Sequence, residues 1–517
     1  MTSSLSSTTL LSQTSRLDDL SDPESLISVM QQLRQAVQTE GESIFSQWQP
    51  LIERPLFLES ARNLAYYLAL RQHDLRSLQT ALMVWGLSSL GRIEARVMPN
   101  LEAVIATLGA LCHKSPALLP ARPPIGAFLR GNALLNYHTQ SLFGPSQHQR
   151  QVRIMVTLPT LAAEDYDWVE QLLQAGTDCV RINCAHDSAD QWAAMIAHVR
   201  RASEQLNHPC KVMMDLGGPK PRTGQLCFAD PKQQRLSCGR TLLLTRAEPI
   251  PDDRYELQAS CTLPEVLDAL QIGDAVWIDD GKVGTVVEAL TPAGVLLRIT
   301  RAPGKGKKLK ADKGLNFPSR ALKMSPLTAK DRQDLSFVVC HADIVGYSFV
   351  QNAIDIVLLQ EELHSQGTRS PSELAIVAKI ETPEAVHHLP ELIVNAAGRQ
   401  PFGVMIARGD LAVEIGYQRL AEMQEEILWI CEAAHVPVIW ATQVLENLVK
   451  TGTPSRAEMT DAAMSERAEC VMLNKGPYIT DAVKILDDVL TRMQAHQLKK
   501  TPQLRALQAW QPFILER

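Results

Sequence analysis

Residues 375–386 read AIVAKIETPEAV. The opening run is apolar and short enough for a single strand. Thr382 followed by Pro383 marks a helix start, because a hydroxyl can cap the first turn and proline is already shaped for its first position. Side chains two apart on a strand share a face. Lys379 and Glu381 therefore point together, while Ile376, Ala378 and Ile380 point the other way. A near-continuous apolar strand that ends in a cation and a carboxylate and turns at once into a helix predicts one unit of a parallel sheet covered on both faces.

The same rhythm runs outward on both sides. RIMVTL (153–158), CVRIN (179–183), KVMMD (211–215), DIVGYS (343–348), GVMIAR (403–408), VPVIWAT (436–442) and CVMLN (470–474) are further apolar runs, most of them separated by helix-length segments. Thr328 with Asp331 marks a second helix start. Eight such units predict an α/β fold, a (β/α)8 TIM barrel over residues 150–220 and 323–492, with its site at the carboxyl ends of the strands. Residues 221–322 break the rhythm with turn signals and alternating stretches such as AVWID and TVVEA, which predicts a small β-barrel lid inserted after the third strand.

Residues 21–149 carry helical periodicity and are expected to form an all-α accessory domain. Ser21-Asp22-Pro23-Glu24 reads as a capping box, after which Leu26, Met30, Leu33 and Val37 share a face. Further helical patterns cover 59–85 and 93–112, with Gly86 placed to end one helix and Ser88 or Ser89 to cap the next. This helix–turn–helix spacing is read as packing and not as DNA binding, since the region is not strongly basic. A disordered leader is expected over 1–20 and a C-terminal tail over 493–517.

The bulk composition narrows the function classes. A chain of 517 residues implies two or three domains. The composition is that of a soluble globular protein, 45% hydrophobic and 21% charged. A net charge of −6 gives no basic footprint for nucleic acid, and no apolar run is long enough to span a membrane. Ten cysteines without a CxxC pair read as reduced thiols, so a cytoplasmic location is expected. The N-terminus lacks the basic start and long apolar core of a secretory signal.

Polar residues end nearly every strand: Arg181 and Asn183 together on the second, then Asp215, Ser348, Asp410, Thr442 and Asn474. Glu381 and Asp410 suit a hard divalent cation, which takes one or two carboxylates and fills its remaining positions with water and substrate oxygens. The plainer alternative is that Glu381 only pairs with Lys379. In ARGDLA (407–412), Gly409 leaves backbone N–H groups accessible to an anion. A metal, a lysine, an arginine and exposed amides together equip a site for phosphoryl transfer, where the protein mainly positions groups and neutralises charge.

Ten segments carry a resemblance: VRINCAH (180–186), MDLGGPKPRTG (214–224), WIDDGKVG (277–284), KADKGLNFPS (310–319), LTAKDRQDL (327–335), SFV (348–350), AKIETPEAV (378–386), MIARGDLAVEIG (405–416), ATQVLENL (441–448) and PSRAEMTDAA (454–463). In this order, around a β insertion, they resemble the pyruvate kinase family from residue 150 to 490. The resemblance implies Mg2+ (with Mn2+ as a substitute) on Glu381 and Asp410. It implies Lys379 stabilising the phosphoryl group in flight, Arg181 holding it, and Gly409, Asp410 and Thr442 receiving the carboxylate of phosphoenolpyruvate. Thr442 would also lie near the enolate face that is protonated. Asn183, His186, Arg222 and Lys313 would place ADP or ATP, with Asp215 and Ser348 in or beside a monovalent-cation shell.

The departures carry information too. Potassium-dependent members have serine where this chain has Ala185, threonine at Leu216 and glutamate at Lys220. The exchange resembles the potassium-independent branch, with Lys220 near Asp215 supplying the fixed charge, so K+ is not expected to be required. LNKGPY (473–478) replaces the family's SGET segment, and Gly217 replaces a lysine. The sequence ends soon after the last barrel unit, so the family's C-terminal domain and its effector site are expected to be missing. A homo-oligomer is expected, with the helical region supplying the interface. The alternatives are a Mg2+-dependent lyase or aldolase acting on a pyruvate-like enolate, and a catalytically weak scaffold of the same family.

Overall fold

A computed structural model of the chain describes residues 22–146, 150–230, 232, 234–318, 320, 324–366 and 373–503. The expected leader therefore lies outside the described residues, as does the tail beyond 503. Eight parallel strands close the barrel: β1 (Arg153–Thr157), β2 (Cys179–Asn183), β3 (Lys211–Asp215), β4 (Ile344–Tyr347), β5 (Ala375–Ile380), β6 (Phe402–Ala407), β7 (Val438–Ala441) and β8 (Cys470–Leu473). Both predicted helix starts hold. Thr328 and Asp331 form a reciprocal capping box, and the Thr382 hydroxyl accepts from Ala385 N at 3.2 Å.

Strand parity sorts the side chains as the sequence suggests. Met155, Cys179, Met213, Ile344, Val377, Met405, Ile439 and Cys470 fill the barrel interior as one apolar cluster. Two residues further along β2, β3 and β5 stand Arg181, Asp215 and Lys379, so the polar layer sits directly on the apolar one at the carboxyl ends.

The helical region begins with α1 (Pro23–Trp48), whose cap is Asp22, accepting from Glu24 N and Ser25 N at 2.9 and 3.0 Å. Ser21 lies outside the described residues. Leu26, Met30, Leu33 and Val37 are buried, as their spacing predicts. The 59–85 pattern divides into α2 (Pro55–Leu70) and α3 (Arg76–Val84), broken where Asp74 turns back to accept from Arg76 N at 3.1 Å. Neither Ser88 nor Ser89 caps a helix. Ser88 Oγ closes a turn by accepting from Leu90 N, and α4 begins only at Val97 (Val97–Leu111).

A fifth helix, α5 (Ile125–Phe143), delivers Leu142 and Phe143 into the amino-terminal end of the barrel, where they join the interior cluster. The region is bolted to the barrel by Arg54, whose guanidinium donates to Ala397 O and Gln400 O at 2.9 and 2.7 Å, and by Asn63, which donates to Ala433 O at 2.8 Å.

The lid is a seven-stranded sheet with its own apolar core. Its first strand, Thr223–Phe228, and its last, Leu315–Asn316, lie at opposite edges of the sheet order. They meet at the base, where Thr223 N donates to Lys313 O at 2.8 Å and Leu315 N donates to Pro221 O at 2.9 Å. The described part of the expected tail is ordered as a small hairpin, Gln497–Leu498 with Thr501–Pro502. Its Lys499 and Lys500 pair with Glu469 and Glu94.

Candidate active site

At the carboxyl mouth of the barrel, Arg181 on β2 donates to Asp215 on β3 through Nε, at 2.8 Å, and through Nη2. Its Nη1 reaches Thr157 Oγ1 at the end of β1, at 3.2 Å. Lys379 on β5 completes the cluster. Its ammonium lies 3.4 Å from Asp215 Oδ2, 3.2 Å from Glu381 Oε1 and 2.7 Å from Ser348 Oγ. One cation thus joins the ends of β3, β4 and β5. Asp215 is fully buried, and its Oδ1 has no hydrogen-bond partner among the described residues.

These charges set one another. Burial alone would push Asp215 up, but Lys379 and Arg181 outweigh it and hold the carboxyl below the usual carboxylate range. Burial works against the Lys379 ammonium, yet Asp215 and Glu381 raise it, so the lysine stays charged. Glu381 is pushed up by burial, with Asp410 adding to the effect against Lys379. Asp410 is half-buried, which would raise it, but Lys220 brings it below its ordinary value.

Two hard oxygen donors, one of them raised by burial with the charge of the other adding to it, fit a divalent cation that would relieve both effects. The Glu381 carboxylate is aimed by Phe349 N, which donates to Oε2 at 2.6 Å.

Asp410 belongs to the helix Arg408–Ile415, which starts immediately after β6. Gly409 N donates to Thr442 Oγ1 at 2.9 Å, so in this arrangement that amide holds the threonine. Thr442 itself has φ +64°, a left-handed conformation that is strained for a β-branched residue and aims its hydroxyl back across the mouth. Arg408, not singled out in the sequence, fixes this loop: its Nε donates to Ala441 O at 2.9 Å and its guanidinium pairs with Asp461.

Lys220 is not where it was expected. Its ammonium pairs with Asp410 Oδ1 at 2.6 Å and approaches Asp280 at 3.8 Å, while Asp215 is held by Arg181 and Lys379 instead. The cause is local. Gly218, with φ +66°, swings the turn after β3 away from the strand end. Gly314 then leaves room for the lysine to cross, since a Cβ there would come within 2.7 Å of Lys220 Cε.

The nucleotide candidates stand apart from this cluster. Arg222 pairs with Asp312 at 3.3 Å and Lys313 with Asp279 at 3.6 Å, both at the base of the lid. Asn183 accepts from Ala185 N at 3.2 Å, and His186 N donates to Asn183 O, which keeps both on the turn after β2. Asn474 is exposed after β8, where its side chain accepts from Lys475 N. Sequence reasoning missed Asn316. Buried in the returning strand of the lid, it donates to Asp410 Oδ1 at 3.3 Å and to Glu414 Oε1 at 3.0 Å. Its segment, KADKGLNFPS, was visible, but the asparagine carried no signal of its own.

A family model described as pyruvate kinase, barrel domain, matches residues 149–483. A pyruvate kinase of Agrobacterium vitis is 31% identical over 362 residues, covering 68% of this chain and 70% of that protein. One from Mycobacterium intracellulare is 31% identical over 366 residues, covering 68% and 72%. Human pyruvate kinase PKLR is 29% identical over 364 residues, which is 67% of this chain and 60% of the human protein. The match thus spans well under two thirds of the human relative. No helix among the described residues is long and apolar enough to cross a membrane. With an eight-stranded parallel barrel, a β insertion after its third strand and a family match over most of its length, the chain belongs to the pyruvate kinase family.

Proposed function

We propose that the chain transfers the phosphoryl group of phosphoenolpyruvate to ADP, giving pyruvate and ATP. The observation that carries the reading is the joint presence of Arg181, Lys379, Glu381 and Asp410 at one barrel mouth, with Lys379 bridging the carboxylates of two strands. A binding-only surface has no need of a buried lysine held charged between two acids.

Glu381 and Asp410 would hold Mg2+, which when bound supplies positive charge to the phosphate and enolate oxygens. The chain's own residues do the rest. Arg181 and Lys379 release part of their hold on Asp215 and bind the phosphoryl oxygens, neutralising charge as the bond to the enol oxygen breaks and the bond to the ADP oxygen forms. The N-terminal amides of the Arg408–Ile415 helix and the Thr442 hydroxyl orient the substrate carboxylate. The enolate left behind takes a proton at its terminal carbon on the Thr442 side, so one proton is consumed for each pyruvate formed. Arg222, Lys313, Asn183 and His186 position the nucleotide under the lid.

Lys220 makes K+ dispensable in this reading. A fixed ammonium about 5 Å from a phosphate oxygen is worth roughly 3 kcal/mol at an effective dielectric near 20, enough to stand in for an ion. The test is a coupled assay for pyruvate from phosphoenolpyruvate and ADP, with and without Mg2+, in sodium or choline buffer free of K+. Turnover that needs Mg2+ but not K+ is expected. No pyruvate under any ionic condition would sink the activity, whereas turnover that appears only with K+ would sink the role of Lys220 and point to Asp215 Oδ1 as an ion ligand.

A further inference from the structure

Two chain segments tie the lid to the barrel. The outgoing one carries Lys220, and the returning one carries Asn316 at the end of the last lid strand. They are fastened to each other by the Leu315 N to Pro221 O bond and by a bridge between Arg222 and Gly314. Both donors converge on a single atom of the barrel, Asp410 Oδ1: Lys220 Nζ at 2.6 Å and Asn316 Nδ2 at 3.3 Å.

Asn316 reaches a second carboxylate as well. Glu414 stands four residues after Asp410 on the same helix, and the asparagine amide bridges the two acids at 3.3 and 3.0 Å. Residues four apart share a helix face, so one planar amide can fix both.

The local cost argues that this amide is not there for stability. Asn316 is 3% exposed and its Oδ1 has no hydrogen-bond partner among the described residues. A buried unpaired acceptor disfavours folding, and an apolar residue would avoid that penalty. The NH2 group is what the position uses. With both donors on Oδ1, Oδ2 is the Asp410 oxygen left to meet a cation.

We infer that Asn316 is a positioning residue through which the lid orients the carboxylate of Asp410 for its metal ion. The inference rests on the reading of Asp410 as a metal ligand given above. The lid has a core of its own and its two connections are hydrogen-bonded to each other, so a shift of the lid as a body would shift both donors on Oδ1. The amide on the returning segment holds the carboxylate from one side while the lysine on the outgoing segment holds it from the other.

The experiment uses the full chain and Mn2+ alone as probe, with binding read by electron paramagnetic resonance in the absence of substrate and nucleotide. Outer partners of metal ligands typically change affinity by 10–100-fold. Asn316→Ala should weaken Mn2+ roughly tenfold or more. In the coupled assay it should raise the Mg2+ concentration for half-maximal activity by a similar factor, with turnover at saturating Mg2+ within about threefold of the parent.

Asn316→Gln keeps the amide but lengthens its reach, so it should fall between the two; it gives the answer if the alanine variant does not fold. Asp410→Asn is the reference that should lose Mn2+ binding. Wild-type Mn2+ affinity in Asn316→Ala overturns the inference, as does equal loss of turnover at every Mg2+ concentration. If Asp410→Asn binds Mn2+ as the parent does, the ligand assignment fails and takes the inference with it. If the parent binds Mn2+, Asn316→Ala weakens that binding and no pyruvate forms, the proposed reaction fails while the positioning role stands.

Discussion

The two ends of the barrel both bury charge, and they do it differently. At the amino-terminal end, Arg150 is 1% exposed and commits every guanidinium nitrogen: Nε to Asp487 and Nη1 to Asp178 and to Val152 O, each at 2.6 Å, and Nη2 to Gly176 O. Asp178 in turn accepts from Ile154 N at 2.8 Å. Two of these partners are backbone carbonyls, which cannot leave without undoing the fold. At the carboxyl mouth Arg181 and Lys379 are held by side chains alone, Arg181 by Asp215 and Thr157, Lys379 by Asp215, Glu381 and Ser348. Side-chain partners can rotate or be displaced by a phosphate. A charge that serves the frame is tied to backbone, and a charge that serves chemistry is shared among side chains.

Substitutions at the two ends should therefore separate activity from stability. The largest effect is expected for Lys379→Met, a fall of about 10³–10⁵ in turnover, or roughly 4–7 kcal/mol of barrier, with phosphoenolpyruvate binding still measurable by fluorescence or calorimetry. Turnover within tenfold of the parent would place the lysine on the structural side of the contrast. Arg150→Ala is the opposite case. It leaves Asp178 buried beside empty space and should cost about 3–5 kcal/mol in urea unfolding, while kcat/KM of the folded protein stays within about twofold. Lys220→Met comes third. It removes a charge shared with Asp410 and should lower turnover in K+-free buffer by about 100-fold, roughly 3 kcal/mol. Unchanged kinetics would leave Lys220 as a mere brace of the turn.

Much of this contrast can be read in the sequence at the mouth and little of it at the opposite end. The strands announce themselves as apolar runs, and the parity of a strand is enough to pair Lys379 with Glu381 and Arg181 with Asn183. The plug was hidden. Helix α5 contains Gly126, Gly131, Asn132 and Asn136, poor helix formers that mask the periodicity, and its helix is held by the barrel it enters. Lys220 could be seen as unusual, but its partner depends on the turn at Gly218 and on a contact 190 residues away. Asn316 meets Asp410 across 94 residues of sequence, after the lid has folded back on itself. Local spacing reveals which groups a strand presents, while the pairing of two connections depends on tertiary structure.

One residue at the amino-terminal end violates the rule drawn from Arg150. Glu466 is 6% exposed, its Oε2 has no partner among the described residues, and it lines a cavity of about 150 Å³ with Arg153, Glu469 and Lys499. Burial, then the charge of Glu469, push its carboxyl from 4.5 up to about 8, against the pull of Lys499. Below about pH 4.5 the group is protonated in both folded and unfolded chains and costs nothing. Between pH 4.5 and 8 the unfolded chain gives up the proton and the folded one keeps it, so stability falls as pH rises through that window. Glu466→Gln should therefore match the parent near pH 4.5 and be more stable by up to roughly 5 kcal/mol at pH 8.5, measured by urea unfolding at several pH values. A constant difference across that range would mean that the acid finds a partner when it ionises, and the rule would then hold at both ends.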